Sequence, residues 1–152
     1  MTAIYVDADA CPVKAEVTRV AGRHAVKVFI VSNGGIRPDP DPLVETVIVP
    51  DGPDVADMWI ADRAGKGDIC ITGDIPLAAR VVEKSGIAIG TRGQLYDEAS
   101  VHGRLATRNL MEQLRSSGVE TGGPKPLDRK DVQAFANQLD KILTRLLKLR
   151  RR

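Results

Sequence analysis

Ile4-Tyr5-Val6 runs straight into Asp7-Ala8-Asp9, and Ile69-Cys70-Ile71-Thr72 runs into Gly73-Asp74. Segments this short and this apolar, without strict alternation, are read as strands buried on both faces, as in the centre of a parallel sheet. The carboxylates that follow cannot share that burial, so each strand must reach the sheet edge where its acids begin. In open α/β folds that carboxyl edge is where ligands bind. Aspartates meeting there repel one another and raise each other's pKa unless something positive lies between them. Hard Mg²⁺ or Mn²⁺, which prefers carboxylate oxygen, is the simplest such charge.

The rest of the first hundred residues repeats the same alternation. Ala3–Asp7 reads as the first strand, and Pro12 suits the first turn of a helix that stops near Gly22. Val26–Val31 and Val44–Val49 are the next strands, joined by a loop from Ser32 to Pro42 rich in Gly and Pro. A turn at Pro50-Asp51-Gly52-Pro53 opens a helix to about Ala64, with Val55, Met58 and Trp59 on one apolar face. Asp68–Thr72 is a fourth strand, Ile75–Lys84 a third helix and Gly86–Ile89 a fifth strand. Strands alternating with helices predict an α/β layered domain with a mostly parallel sheet. After Gly90 the pattern becomes helical, over about 102–116 and then 128–149. Val132, Phe135, Leu139, Ile142, Leu143 and Leu146 form one stripe of the last helix, with Asp128 as its N-cap. That stripe packs on the sheet or makes a homo-oligomer through the C-terminal helix; both remain open in the sequence.

A chain of 152 residues suits one domain, 1–152, comprising an α/β core over 1–100 and a helical part over 101–152. The halves differ in charge: 10 Lys/Arg against 15 Asp/Glu in the first, 12 against 5 in the second. A basic part beside an acidic site suits a polyanionic substrate drawn towards bound metal. No apolar run approaches the roughly 18 residues of a membrane span, and the N-terminus lacks a secretory pattern, so no membrane partner and a cytoplasmic location are expected.

The acids divide into three segments. Asp7 and Asp9 are two apart and lean over the same edge; Asp54 and Asp57 are three apart at a helix start and neighbours on its surface; Asp74 follows the fourth strand. Asp7, Asp9, Asp57 and Asp74 are the candidate catalytic residues, and these four with Asp54 the candidate metal ligands. Carboxylate-held metal can hydrolyse a phosphodiester without a Cys, Ser or His nucleophile. Ser32, Asn33 and Thr72, at strand ends, and Arg92, after the fifth strand, are candidate substrate contacts. Asp51, Asp62 and Asp68 read as solvated turn or surface residues, and His24 and His102 as surface residues outside the cluster. Cys70 reads as a buried hydrophobe, and Cys11 as a poor nucleophile caught between a helix start and nearby carboxylates. With five aromatic residues in the chain, phosphate contacts rather than base stacking are expected to dominate any nucleic-acid complex.

Six ordered motifs carry a resemblance spanning almost the whole chain: 6–12 (VDADACP), 54–57 (DVAD), 72–78 (TGDIPLA), 92–96 (RGQLY), 121–124 (TGGP) and 135–140 (FANQLD). They resemble the YaiI/YqxD family of bacterial proteins, which is similar to the PIN-like nuclease superfamily. The resemblance implies strand order 3-2-1-4-5 and a ribonuclease-like or structure-specific nuclease role with Mg or Mn as cofactor; the partner expected is nucleic acid, RNA ahead of DNA. It matches Asp7, Asp57 and Asp74 to the core acids, with Asp9 and Asp54 as additions; Asp97 and Glu98 are the nearest counterparts of a further acid that PIN domains often carry after the fifth strand. Two other readings of the same residues stand beside it. One is a haloacid-dehalogenase-like phosphatase using Asp7 and Asp9 as nucleophile and acid. The other is a non-catalytic metal- or RNA-binding module.

Overall fold

In the computed structural model, residues 2–8, 11–35, 37–52, 54–97, 100 and 127–150 are described. Six strands form one sheet in the order β3-β2-β1-β4-β5-β6: β1 Ala3–Asp7, β2 Lys27–Ser32, β3 Val44–Ile48, β4 Ile69–Ile71, β5 Ile87–Ile89 and β6 Leu95–Tyr96. The first five are parallel and β6 is antiparallel to β5. Four helices are described: α1 Lys14–Arg23, α2 Val55–Arg63, α3 Ile75–Glu83 and, at the C-terminal end, α4 Arg129–Arg150. The expected 3-2-1-4-5 order is therefore present, extended by a two-residue strand too short to leave a periodic signal. The arrangement is a three-layer α/β fold of the PIN-like type.

Strand pleating sorts the core into two faces. Ile4, Val6, Val28, Ile30, Ile69 and Ile71 share one cluster with Val17 and Val20 of α1 and with Phe135, Leu139 and Leu143 of α4. Tyr5, Val31 and Cys70 share the other with Ala56 and Ile60 of α2 and Leu77 and Val81 of α3. Successive side chains of a strand point to opposite faces, so Asp7, two residues beyond Tyr5, belongs to the α2/α3 side. The stripe on α4 that the sequence left unassigned is buried within its own chain, with Phe135, Leu139 and Leu143 at 0% exposure. On α2, Ala56 and Ile60 face the core while Met58 is 54% exposed. The small Ala56 lets the helix approach the sheet where a Met58-centred face would hold it away.

Several local details differ from the sequence reading. Helix α1 begins at Lys14 with Val13 as N-cap, leaving Pro12 in the preceding turn. Strands β2 and β3 pair in parallel without a helix between them, in agreement with the loop read there. Their connection is held by side-chain turns in which Asp39 accepts from the Asp41 amide and Asp41 from that of Leu43. Asp68 is a brace: its carboxylate accepts from the amides of Ala3 and Gly65, both at 3.1 Å, pinning the start of β1 beside β4. His24, 19% exposed, pairs with Asp140 at 2.8 Å and ties the end of α1 to α4. Expectations placed on residue 9, on 98, on 102–116 and on 121–124 lie outside the described residues.

Candidate active site at the sheet edge

The chain leaves β1 towards β2 on one side and later returns to β4 on the other. The carboxyl ends of β1 and β4 are thus the point where strand order reverses, and a crevice opens at such a switch point. Val6 is in register with Ile71, so Asp7 and Thr72 come next to each other at the end of the pairing. The Thr72 hydroxyl donates to Asp7 Oδ2 at 3.1 Å, and accepts from the Asp74 amide at 2.9 Å. Both Thr72 and Asp7 are buried, at 0% and 6% exposure. A hydroxyl can donate and accept at once; here it fixes the carboxylate of β1 and the turn that carries Asp74.

Asp74 is the N-cap of α3: its Oδ1 accepts from the Leu77 amide at 3.2 Å, and Pro76 follows in the first turn. Capping and site position coincide in this one residue. Asp57 lies in the first turn of α2 and borders the same cavity as Asp74. The Asp57 carboxyl is pushed up to about 7, first by burial, then by the Asp74 carboxyl beside it, and further by Asp7 and Asp54. The Cys70 thiol beneath them is raised well above its usual value by burial and then by Asp7, Asp57 and Asp74. Asp7, Asp57 and Asp74, far apart in the chain, therefore act on one locality.

Asp54 stands at the N-terminal end of α2 with a left-handed backbone (φ 65°), and its side chain makes no capping bond. It borders a cavity of about 180 Å³ together with Asp57, Asp74, Pro76, Leu77 and Arg80. Arg80 projects from one turn beyond Pro76 and Leu77 and was missed in the sequence. It sits at a surface position of an ordinary helix, and only the packing of α2 against α3 brings it beside the acids.

Ser32 ends β2 at this same edge, one residue past Val31, which is in register with Asp7. Ser32, buried at the end of β2, exchanges hydrogen bonds with the backbone of Gly34, and Asn33 is exposed. Arg92 donates through Nη1 to Asp131 of α4 at 2.6 Å. Asp97, exposed beyond β6, bonds with Ser100. Cys11 is buried and its thiol is pushed up to about 11, mainly by burial and partly by Asp7, against lowering from the Val13 backbone and Lys14. That keeps it protonated at neutral pH and unsuited to nucleophilic attack.

Among the described residues no group of three or more His, Cys, Asp or Glu side chains is arranged so that it could hold a metal ion. Asp54, Asp57 and Asp74 around the cavity offer carboxylate oxygen, the donor type that a hard divalent cation takes.

Comparison with known proteins places these residues in context. The family described as "Uncharacterized BCR, YaiI/YqxD family" matches residues 5–145. A UPF0178 protein of Roseobacter denitrificans is 54% identical over 144 residues, covering 94% of this chain and 95% of its own length. One from Cereibacter sphaeroides is 52% identical over 144 residues, covering 94% and 89%. One from Parvibaculum lavamentivorans is 54% identical over 140 residues, covering 92% of each. No solved structure matches.

Proposed function

The chain belongs to the YaiI/YqxD family, and we propose that it is a metal-dependent nuclease hydrolysing phosphodiester bonds, with RNA as its substrate in preference to DNA. The observation that carries this reading is that Asp54, Asp57 and Asp74 line one cavity, with the Asp74 turn tied through Thr72 to Asp7 at the strand-order reversal. Such a group is costly when every member is ionised and becomes favourable once a divalent cation shares it. Asp7, Asp57 and Asp74 would hold the cation, with Asp54 at the cavity rim and Asp9 as a further candidate ligand. When bound, Mg²⁺ or Mn²⁺ supplies a Lewis acid for the phosphoryl oxygen and acidifies the attacking water. The protein's own share is positional. Thr72 orients Asp7, and the α3 amide at Leu77 orients Asp74.

Aromatic placement favours backbone over base recognition. Tyr5 stacks on Phe29 at 5.2 Å and Trp59 tilts against both at 6.0 Å, while Arg63 covers the Trp59 ring at 3.9 Å. Rings engaged with one another offer little stacking surface to bases, so phosphate contacts should set affinity and sequence preference should be weak.

The test is Mn²⁺-dependent cleavage of end-labelled RNA, single-stranded DNA and flap substrates, with calorimetry of Mn²⁺ binding in parallel. Turnover and Mn²⁺ binding that both vanish in Asp74→Asn support the reading. Mn²⁺ binding without turnover on any substrate would favour a non-catalytic module, and no Mn²⁺ binding at all would remove the metal site.

A further inference from the structure

We infer that Arg80 grips the phosphate of a single nucleic-acid strand laid across the acid cavity, positioning it for the reaction proposed above, on which this inference rests. Arg80 borders the same cavity as Asp54, Asp57 and Asp74, yet it forms no ion pair with any of them among the described residues. A guanidinium beside three carboxylates ordinarily collapses onto one of them. Here Asp74 accepts from the Leu77 amide, and the fork of Arg80 keeps its donors for something else at the rim.

An exposed, planar, permanently charged fork matches a phosphate in two parallel hydrogen bonds. Cavity size narrows the ligand further. At about 180 Å³ the space is smaller than the roughly 300 Å³ at which pockets begin to engulf a small-molecule ligand. It fits one phosphate group and its cation, with the attached sugars and bases left outside. A strand lying over the rim satisfies this, whereas a free nucleotide would leave most of itself unbound. Arg92 is turned towards α4, donating through Nη1 to Asp131. In the last turn of α3, Arg80 also complements the helix dipole; a Lys there would keep that role but lose the two-pronged fit.

The experiment compares the full-length protein with Arg80→Ala and Arg80→Lys. Binding of a fluorescein-labelled oligouridylate is measured in Ca²⁺ across a salt series, and Mn²⁺ affinity is measured separately without RNA. Arg80→Ala should weaken RNA binding about tenfold and flatten the log–log salt slope by about 0.7, the value for one phosphate contact on a single strand. Arg80→Lys should fall between. Mn²⁺ affinity of Arg80→Ala should stay equal or tighten, since a neighbouring positive charge has gone. RNA binding unchanged in Arg80→Ala would overturn the inference and leave the nuclease reading standing. So would a loss of RNA binding matched by an equal loss of Mn²⁺ affinity, which marks a structural role. Failure of the unaltered protein to bind the oligouridylate would overturn the inference, and failure to bind Mn²⁺ would overturn the nuclease reading as well.

Discussion

Asp57 carries most of the tension in this molecule, because its neighbours are acids and its proton is what relieves them. Its folded pKa, about 7, lies above the ordinary 3.8, so the folded state holds a proton that the unfolded state has lost between those values. Stability of the metal-free protein should therefore fall as pH rises from about 4 to 7, and level off above that. Asp57→Asn should flatten this window and raise the melting temperature at pH 8; thermal unfolding in EDTA across pH checks it, and an unchanged profile would remove Asp57 as the cause. Thr72 is the second pivotal residue. Thr72→Val leaves the buried Asp7 oxygen and the Asp74 amide without this hydroxyl, at a cost of about 1–3 kcal/mol. As an orienting group behind a ligand, it should also lower Mn²⁺ affinity by about 10–100-fold; urea unfolding and calorimetry measure the two separately. The aspartates were legible in the sequence because they end apolar strands. The role of Thr72 was legible only as a strand-end hydroxyl, since its bond to Asp7 spans 65 residues of chain.

Among the elements, the turn from β5 into β6 shows how α4 is seated against the sheet. Gly93 adopts φ +87°, and a Cβ there would stand 3.0 Å from the Ala134 backbone of α4. Next to it, Arg92 reaches Asp131, which together with Asp128 closes the start of α4 in a reciprocal cap: each aspartate accepts from the other's amide. The turn and the helix are thus fitted to each other at backbone distance. Gly93→Ala combines left-handed strain with a contact that only movement of α4 can relieve, and should destabilise by more than about 2 kcal/mol. Chemical denaturation measures this, and a near-neutral result would mean that α4 shifts easily. The residues 92–96 stood out in the sequence as a motif, with Arg92 read towards substrate. Its partner on α4 could not be read, because nothing local links position 92 to position 131.

At the scale of the whole molecule, charge separation is the property with a measurable consequence. Residues 1–100 carry five more acids than bases and residues 101–152 seven more bases than acids. If the basic part receives nucleic-acid backbone, affinity for a single strand should fall linearly in log–log salt plots, with a slope near −0.7 per phosphate contacted. Fluorescence anisotropy from low to physiological salt tests it, and affinity indifferent to salt would exclude that surface. The layer order follows from patterns that are local in the chain: apolar strands, helices with one apolar stripe, and acids where strands end. Those patterns determined the α/β class and the edge at which Asp7 and Asp74 appear, while the 3-2-1-4-5 order was implied by the family resemblance. Tertiary structure alone decided that α4 spends its stripe on α1 and the sheet, that Asp68 and His24 are braces, and that Arg80 joins the acids. Propensity and periodicity act through neighbours within a turn or a strand, whereas these choices depend on which faces meet when the layers close. The meeting of Asp54, Asp57 and Asp74 around one cavity belongs to that second kind, for it exists only once α2 and α3 pack side by side.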